Sequence, residues 1–335
     1  MNITITGDIG SGKSTVSKLL ADLLNMRVVD SGTLYRKYSE NKGMDVLQQN
    51  KSDDWSIDRM IDNKIAELGR NEDNIIFVSR LAWNFVPNAV KIYLVVNPVT
   101  AAKRIAADDS RTGESHRSWE ETLVYNKERK ELELKRYADM YGLKDPSGLS
   151  SADIVLVVGK NDVNTVANSL YEIIQKNAKG FYIDPKVMLP TQTIRDYDML
   201  TLNSYLSLLP KGVQYIKAIV NSYNGNYYIM DGHHRILAAI KLKVPYVCIP
   251  KPIEVVDKPT LPNIYDYEDI SGVSFYDEYF LHTSCSDADS VFKDYRRKFG
   301  ITDEHYWISE MNRLCKLFGT SDKNVLALKI KDTFL

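Results

Sequence analysis

Residues 7–14 read Gly7-Asp8-Ile9-Gly10-Ser11-Gly12-Lys13-Ser14, with Thr15 directly behind them. Two glycines five positions apart, followed by a lysine and a hydroxyl residue, form a phosphate-binding loop. Backbone N–H groups of such a loop and the positive end of the following helix attract a polyphosphate. Lys13 is placed to reach the β- and γ-phosphates, and the Ser14 hydroxyl to bind Mg²⁺. The expected cofactors are therefore ATP and Mg²⁺, with Gly7 through Thr15 as the contacts. The flanks suit this chemistry. Asn2-Ile3-Thr4-Ile5-Thr6 is β-rich, and Val16, Leu19, Leu20, Leu23 and Leu24 recur at helical spacing. Strand, loop and helix follow in the order that the motif requires.

The elements that must hold this loop come from a chain of 335 residues, a length that predicts two domains or three. With 44% apolar and 26% charged residues, the composition is that of an ordinary globular protein. A net charge of −1 gives no global attraction to nucleic acid or acidic lipid, so any such contact needs a local patch. Cys248, Cys285 and Cys315 are scattered, without a C-x-x-C, and suggest neither a disulfide framework nor a zinc site. No stretch approaches the ~20 apolar residues of a membrane span, and the loop begins too early for a signal peptide to precede it. A cytoplasmic protein without membrane partners is expected.

Beyond the loop, Met26–Val29 reads as a second strand that runs into Asp30-Ser31-Gly32-Thr33-Leu34-Tyr35-Arg36. Asn74–Val78, ending in Ser79-Arg80, then Lys91–Val96 and Ile154–Val158 are further strand candidates. Strands alternating with helical stretches predict right-handed crossovers and a parallel sheet, with sites at the strands' C-terminal ends. The polar stretch Lys103–Glu121, studded with Arg104, Arg111 and Arg117, reads as a mobile lid. Arg129-Lys130-Glu131-Leu132-Glu133-Leu134-Lys135-Arg136-Tyr137 follows, with Tyr141-Gly142-Leu143-Lys144-Asp145 after it. Arg129 and Arg136, seven apart, share nearly one helix face. Phosphoryl transfer needs cations at the transferring group and exclusion of water, which lid arginines supply.

These segments together resemble the smaller, archaeal-type cytidylate kinases over roughly residues 1–175. The resemblance implies a nucleoside monophosphate kinase fold, a parallel sheet flanked by helices, spanning 1–176. It implies that Asp30 lies near Mg²⁺ or the acceptor, that Arg36 and Arg80 hold the acceptor, and that Arg129 and Arg136 are catalytic. An arginine fork suits a phosphate dianion in any case. Ser79 stands where that family has glycine, which puts CMP itself in doubt as the acceptor.

The remaining chain requires a second explanation. Asn177-Ala178-Lys179-Gly180 reads as a linker. Ile216–Val220 and Tyr227–Met230 read as strands around Asn224-Gly225, a strong hairpin signal. The second strand enters Asp231-Gly232-His233-His234-Arg235 and a helix, and Val247–Ile249 is a further strand. Gly232 permits close approach, the helix start offers free N–H groups, and His233, His234 and Arg235 add donors for an anion. Two adjacent histidines cannot both face one ion on a helix, so no metal site is read here. The segment resembles the ParB/sulfiredoxin-like superfamily, with Gln192 and Arg195 in its earlier box. That resemblance implies a small α+β domain over 181–255 whose substrate contacts are Asp231 through Arg235. Its members grip DNA, phosphorylate free serine or reduce sulfinic acid. The reductase reading lacks a cysteine at the turn, and the serine-kinase reading lacks an acidic residue near Thr191-Gln192-Thr193.

A helical extension is expected over 256–335. There Val291, Phe292, Tyr295 and Phe299 form an apolar stripe beside Lys293, Arg296, Arg297 and Lys298. The basic residues suit either a solvated face or a phosphate-backbone patch. Tyr306 and Trp307 are expected in the core. The resulting expectation is an ATP- and Mg²⁺-dependent kinase acting on a nucleotide or DNA, with the hydroxymethyl group of 5-hydroxymethyluracil in DNA as the specific acceptor. The alternatives are a free nucleoside monophosphate kinase with an accessory domain, an ATP-dependent DNA-binding switch, and a free serine kinase. Oligomeric state is not legible.

Overall fold

A computed structural model of the protein describes residues 1–32, 35, 55–108, 118–191, 199–209, 212–259 and 285–334. The chain divides into two compact units, Met1–Asp184 and Pro185–Leu335. The expected site residues Arg36, Arg111, Arg117, Gln192 and Arg195 lie outside the described residues.

In the first unit the described elements run β1 (Ile3–Gly7), α1 (Lys13–Leu24), β2 (Arg27–Asp30), α2 (Ser56–Asn71), β3 (Ile75–Val78) and α3 (Ala82–Phe85). They continue with β4 (Val90–Val95), α4 (Pro98–Ala106), α5 (Trp119–Tyr141), β5 (Ile154–Val157), α6 (Val163–Gln175) and β6 (Gly180–Ile183). The strand order is β2-β3-β1-β4-β5-β6, and every neighbouring pair is parallel. β1, β3 and β5 are buried at every residue. Burial on both faces is what a parallel sheet covered by helices requires, and it explains the unbroken apolar runs. Order β3-β1-β4 brings the ends of three strands together at Gly7, Val78 and Val95, where the phosphate loop begins.

Several local expectations change. On α1 the buried stripe is Val16, Ser17, Leu20 and Ala21, while Leu23 is exposed. The stretch expected as a lid is helical at both ends: Lys103 and Arg104 belong to α4, and Trp119–Glu121 opens α5. A capping box between Ser118 and Glu121 fixes that opening, and Gly142 closes the helix at φ 65°. Gly180 begins β6 instead of continuing a linker, so the first compact unit extends through Asp184.

The second unit contains β7 (Met188–Pro190), α7 (Met199–Leu208), β8 (Gln214–Tyr215), β9 (Ile219–Tyr223), β10 (Asn226–Asp231), α8 (His233–Lys241), β11 (Val247–Ile249) and β12 (Ile253–Glu254). Its sheet has the order β12-β9-β10-β7, with β9 and β10 antiparallel and β10 and β7 parallel. Asn224 and Gly225 make the hairpin turn, both at positive φ. The first hairpin strand lies nearer the turn than the sequence suggests, over 219–223 instead of 216–220. Three helices end the unit: α9 (Cys285–Lys298), α10 (Glu304–Phe318) and α11 (Lys323–Phe334). Phe292, Tyr295, Met311, Leu314, Leu326 and Ile330 form their shared core. Trp307 packs against it as expected, whereas Tyr306 is exposed. Arg296 stacks over Trp307 and ion-pairs with Glu304, so this member of the basic row is committed locally. Among the described residues, no helix is long and apolar enough to cross a membrane.

Candidate active site

The loop's shape follows from its glycines. Gly7, Gly10 and Gly12 have φ of 142°, 79° and 81°, a region that other residues enter only with strain. At Gly7 a Cβ would also lie 2.2 Å from the Leu94 carbonyl oxygen of β4, so only glycine fits. Gly12 is the N-cap of α1 and no side chain caps that helix start. The N-terminal N–H groups of α1 are thus left to the space over the loop, a feature that fits a polyphosphate. Ser14 and Thr15 stand in the helix's first turn, and the buried Ser11 donates to the Asp8 carbonyl.

Lys13 folds over the same loop. Its Nζ donates to the Gly7 carbonyl at 3.0 Å and the Asp8 carbonyl at 2.6 Å. Burial and the neighbouring Arg80 guanidinium hold this ammonium well below the ordinary lysine range, while Asp8 and Glu133 pull it back up. Arg80, at the end of β3, donates Nη1 to the same Gly7 carbonyl at 2.7 Å. The arginine expected to serve the acceptor therefore stands at the phosphate loop, beside Lys13.

α5 supplies the counter-charges. Glu133 receives the Nε of Arg129 at 2.8 Å on one oxygen and pairs with the Nε of Arg80 at 3.0 Å on the other. Burial works against this carboxylate, but Arg80 and Arg129 outweigh it and hold it at about 2. One helical turn away, Lys130 donates to Asp8 at 2.8 Å, and Asp8 also accepts from the Tyr93 hydroxyl and the Val96 amide. An acidic side chain inside an anion-binding loop would oppose its function, and Lys130 offsets that charge.

Arg136 is bound within the fold. Its side chain is 4% exposed, and it donates Nη2 to Asp58 of α2 at 3.1 Å and Nη1 to the Tyr35 hydroxyl at 2.9 Å. The guanidinium also lies over the rings of Tyr35 and Tyr137. It holds α5 to α2 and to Tyr35 after β2, a structural tie at the residue for which the resemblance implies catalysis. Asp30, at the end of β2, accepts from the Gly32 amide at 2.9 Å. This contact fixes the turn and orients the carboxyl at the C-terminal edge of the sheet.

Sequence reasoning missed Asp58 and Asp62, buried four residues apart on α2. Asp62 accepts from the Tyr141 hydroxyl at 2.7 Å. Burial pushes its carboxyl up to about 6; the Tyr141 bond opposes this and the Asp58 charge adds to it. An unfolded aspartate titrates at about 3.9. The folded state thus holds the extra proton between those values, and stability falls as pH rises through that window. Asp62→Asn keeps an acceptor for Tyr141 and removes the titration. It is expected to raise the thermal midpoint at pH 7.5 and change it little at pH 4. Equal shifts at both pH values would show an ordinary carboxylate.

In the second unit, β10, Gly232 and α8 form the strand, turn and helix. Gly232 has φ 92°, and a Cβ there would meet Ala218 at 3.0 Å. His233 is 2% exposed, and its Nε2 accepts from the Thr191 amide at 3.1 Å. Through this nitrogen His233 ties Thr191, just after β7, to the helix start. Arg235 lies over the Tyr205 ring and donates to the Tyr205 hydroxyl and the Lys217 carbonyl. Its guanidinium is thereby partly spent on holding the fold. Asp231 is exposed beside a register shift in β10, and His234 is half-buried.

A family model described as an AAA domain matches residues 3–131. Among solved structures, shikimate kinase from Aquifex aeolicus aligns with 53% of this chain and 98% of its own, at 18% identity and a TM-score of 0.35. The cytidylate kinase of Haloarcula marismortui is 37% identical over 158 residues, 46% of this chain and 79% of that protein. That of Archaeoglobus fulgidus is 30% identical over 189 residues, 56% of this chain and 100% of that protein. The glycine geometry at residues 7–12 and the lysine folded over it thus occur in a chain that matches 79% and 100% of the length of these two cytidylate kinases. The protein is a phosphotransferase, and through its N-terminal half it belongs to the cytidylate kinase family.

Proposed function

We propose that the protein transfers the γ-phosphoryl group of ATP to a pyrimidine carried in DNA, the acceptor being the hydroxymethyl oxygen of 5-hydroxymethyluracil. One observation carries this reading. The Archaeoglobus fulgidus relative is matched over its entire length by 56% of this chain, so most of Pro185–Leu335 has no counterpart in it. A kinase of free nucleotides is complete without such a unit. We read the unit as a ParB/sulfiredoxin-like module over 185–255 with a helical extension over 256–335, which presents DNA to the kinase. Ser79, buried where the family's pattern has glycine, supports an altered acceptor.

In this reading Gly7 through Thr15 hold the triphosphate, and Ser14 with Asp30 would hold Mg²⁺. Bound Mg·ATP supplies the phosphoryl group and neutralises part of its charge. Lys13, Arg80 and Arg129 provide the fixed cations, and Arg36 with Arg80 receives the acceptor. The acceptor oxygen bonds to the γ-phosphorus as its bond to ADP breaks, and the hydroxyl proton leaves to solvent. Asp231 and His234 face the DNA.

The test is transfer from labelled ATP to an oligonucleotide containing 5-hydroxymethyluracil, the same oligonucleotide with thymine, CMP, and free serine. Label is expected on the hydroxymethylated oligonucleotide alone. Efficient labelling of CMP would replace the DNA acceptor with a free nucleoside monophosphate, the reading that the relatives' names favour. Labelling of serine would make the second unit a serine kinase. ATP hydrolysis stimulated by unmodified DNA, without label transfer, would indicate a DNA-dependent switch.

A further inference from the structure

We propose that Glu133 is a positioning residue for phosphoryl transfer, anchoring Arg80 and Arg129 beside Lys13 through their Nε edges without itself touching substrate. The inference rests on the assignment of phosphate binding to Lys13 and its loop. Three cations crowd this place. Arg80 Nη1 and Lys13 Nζ share the Gly7 carbonyl, and Arg129 is near enough to depress Lys13 further. Without an anion among them, like charges in a poorly solvated site would drive the two arginines toward water. Glu133 meets both from the buried face of α5, one oxygen to each guanidinium.

The mode of contact matters as much as the charge. A carboxylate that bridges an arginine through both terminal nitrogens uses the edge best suited to phosphate. Glu133 takes the Nε of each partner, and Arg80 still directs Nη1 to the loop. Phosphoryl transfer gains most from cations aimed before the reaction begins, because they need no reorganisation as charge shifts. A carboxylate buried at such cost is retained where both partners stay paired with it.

Glu133→Gln in the full chain tests this, using ADP formation from Mg·ATP with CMP, with the hydroxymethylated oligonucleotide, and with water as the only acceptor. The expected result is a fall in kcat of about tenfold or more with a smaller change in KM for ATP, since aimed donors act mainly on the transition state. A fall in kcat with the KM for ATP nearly kept is a split that a merely structural ion pair would not produce. Wild-type kcat in a folded variant would overturn the proposal. If Glu133→Gln does not fold, Glu133→Asp decides. Its shorter carboxylate should lower kcat, and unchanged kcat would overturn the role. Lys13→Ala is measured alongside. Turnover retained there would remove the assignment of the loop, whereas an inactive Lys13→Ala beside a wild-type-like Glu133→Gln would remove only the positioning role.

Discussion

Lys13→Ala is expected to lower kcat by about 10²–10³-fold, on the scale of other lost electrostatic contacts to a transition state. The substitution removes the ammonium that bonds the Gly7 and Asp8 carbonyls. The fold should survive, because the loop's conformation is set by three glycines and by Ser11 on the Asp8 carbonyl. Thermal unfolding should therefore change little while labelled phosphate ceases to leave ATP. Lys13→Arg separates charge from shape: it keeps the cation but places a larger, planar group in a packed loop, and activity should return only in part. Near-wild-type turnover of Lys13→Ala with any acceptor would sink the assignment of phosphoryl transfer to this loop. A loss of stability equal to the loss of rate would show that Lys13 supports the loop more than the reaction.

The phosphate loop was legible because its chemistry is local: five residues of strand, five of loop and the start of a helix lie in one stretch. The parallel sheet was legible for a related reason, since buried strands such as Ile75–Val78 leave unbroken apolar runs. The charged network was not, and α5 shows why. Its buried face comprises Thr122, Tyr125, Asn126, Glu133, Arg136 and Tyr137. Polar residues at helical spacing read as a solvated face, and only contacts across the fold turn them inward. Arg129 and Arg136 do share a face, but each finds a different carboxylate, Glu133 and Asp58. On α2, Asp58 and Asp62 alternate with Ile57, Ile61 and Ile65, and nothing local distinguishes a buried aspartate from a surface one. Lys130 and Asp8 lie 122 positions apart, beyond any spacing rule. In the second unit, the turn at Gly232 was legible from its glycine, whereas the acceptor role of His233 depends on Thr191.

Arg136→Met is expected to destabilise the fold by about 3–5 kcal/mol, the usual cost of removing one partner of a buried ion pair. Both side chains of the Arg136–Asp58 pair are 4% exposed, so neither water nor salt can replace the lost charge. The Tyr35 hydroxyl loses its donor in the same step. Asp62 lies one turn along α2 and already carries a raised carboxyl, so it offers Asp58 no positive charge. Replacing both partners should restore much of the loss, because an apolar pair of similar volume leaves no buried charge. Arg136→Met with Asp58→Leu is therefore expected to be more stable than Arg136→Met alone. Urea unfolding of the two single variants and the double variant measures this coupling. If Arg136→Met unfolds at the wild-type midpoint yet turns over slowly, the arginine acts on substrate after all. Its bond to Asp58 would then describe a resting position from which it moves.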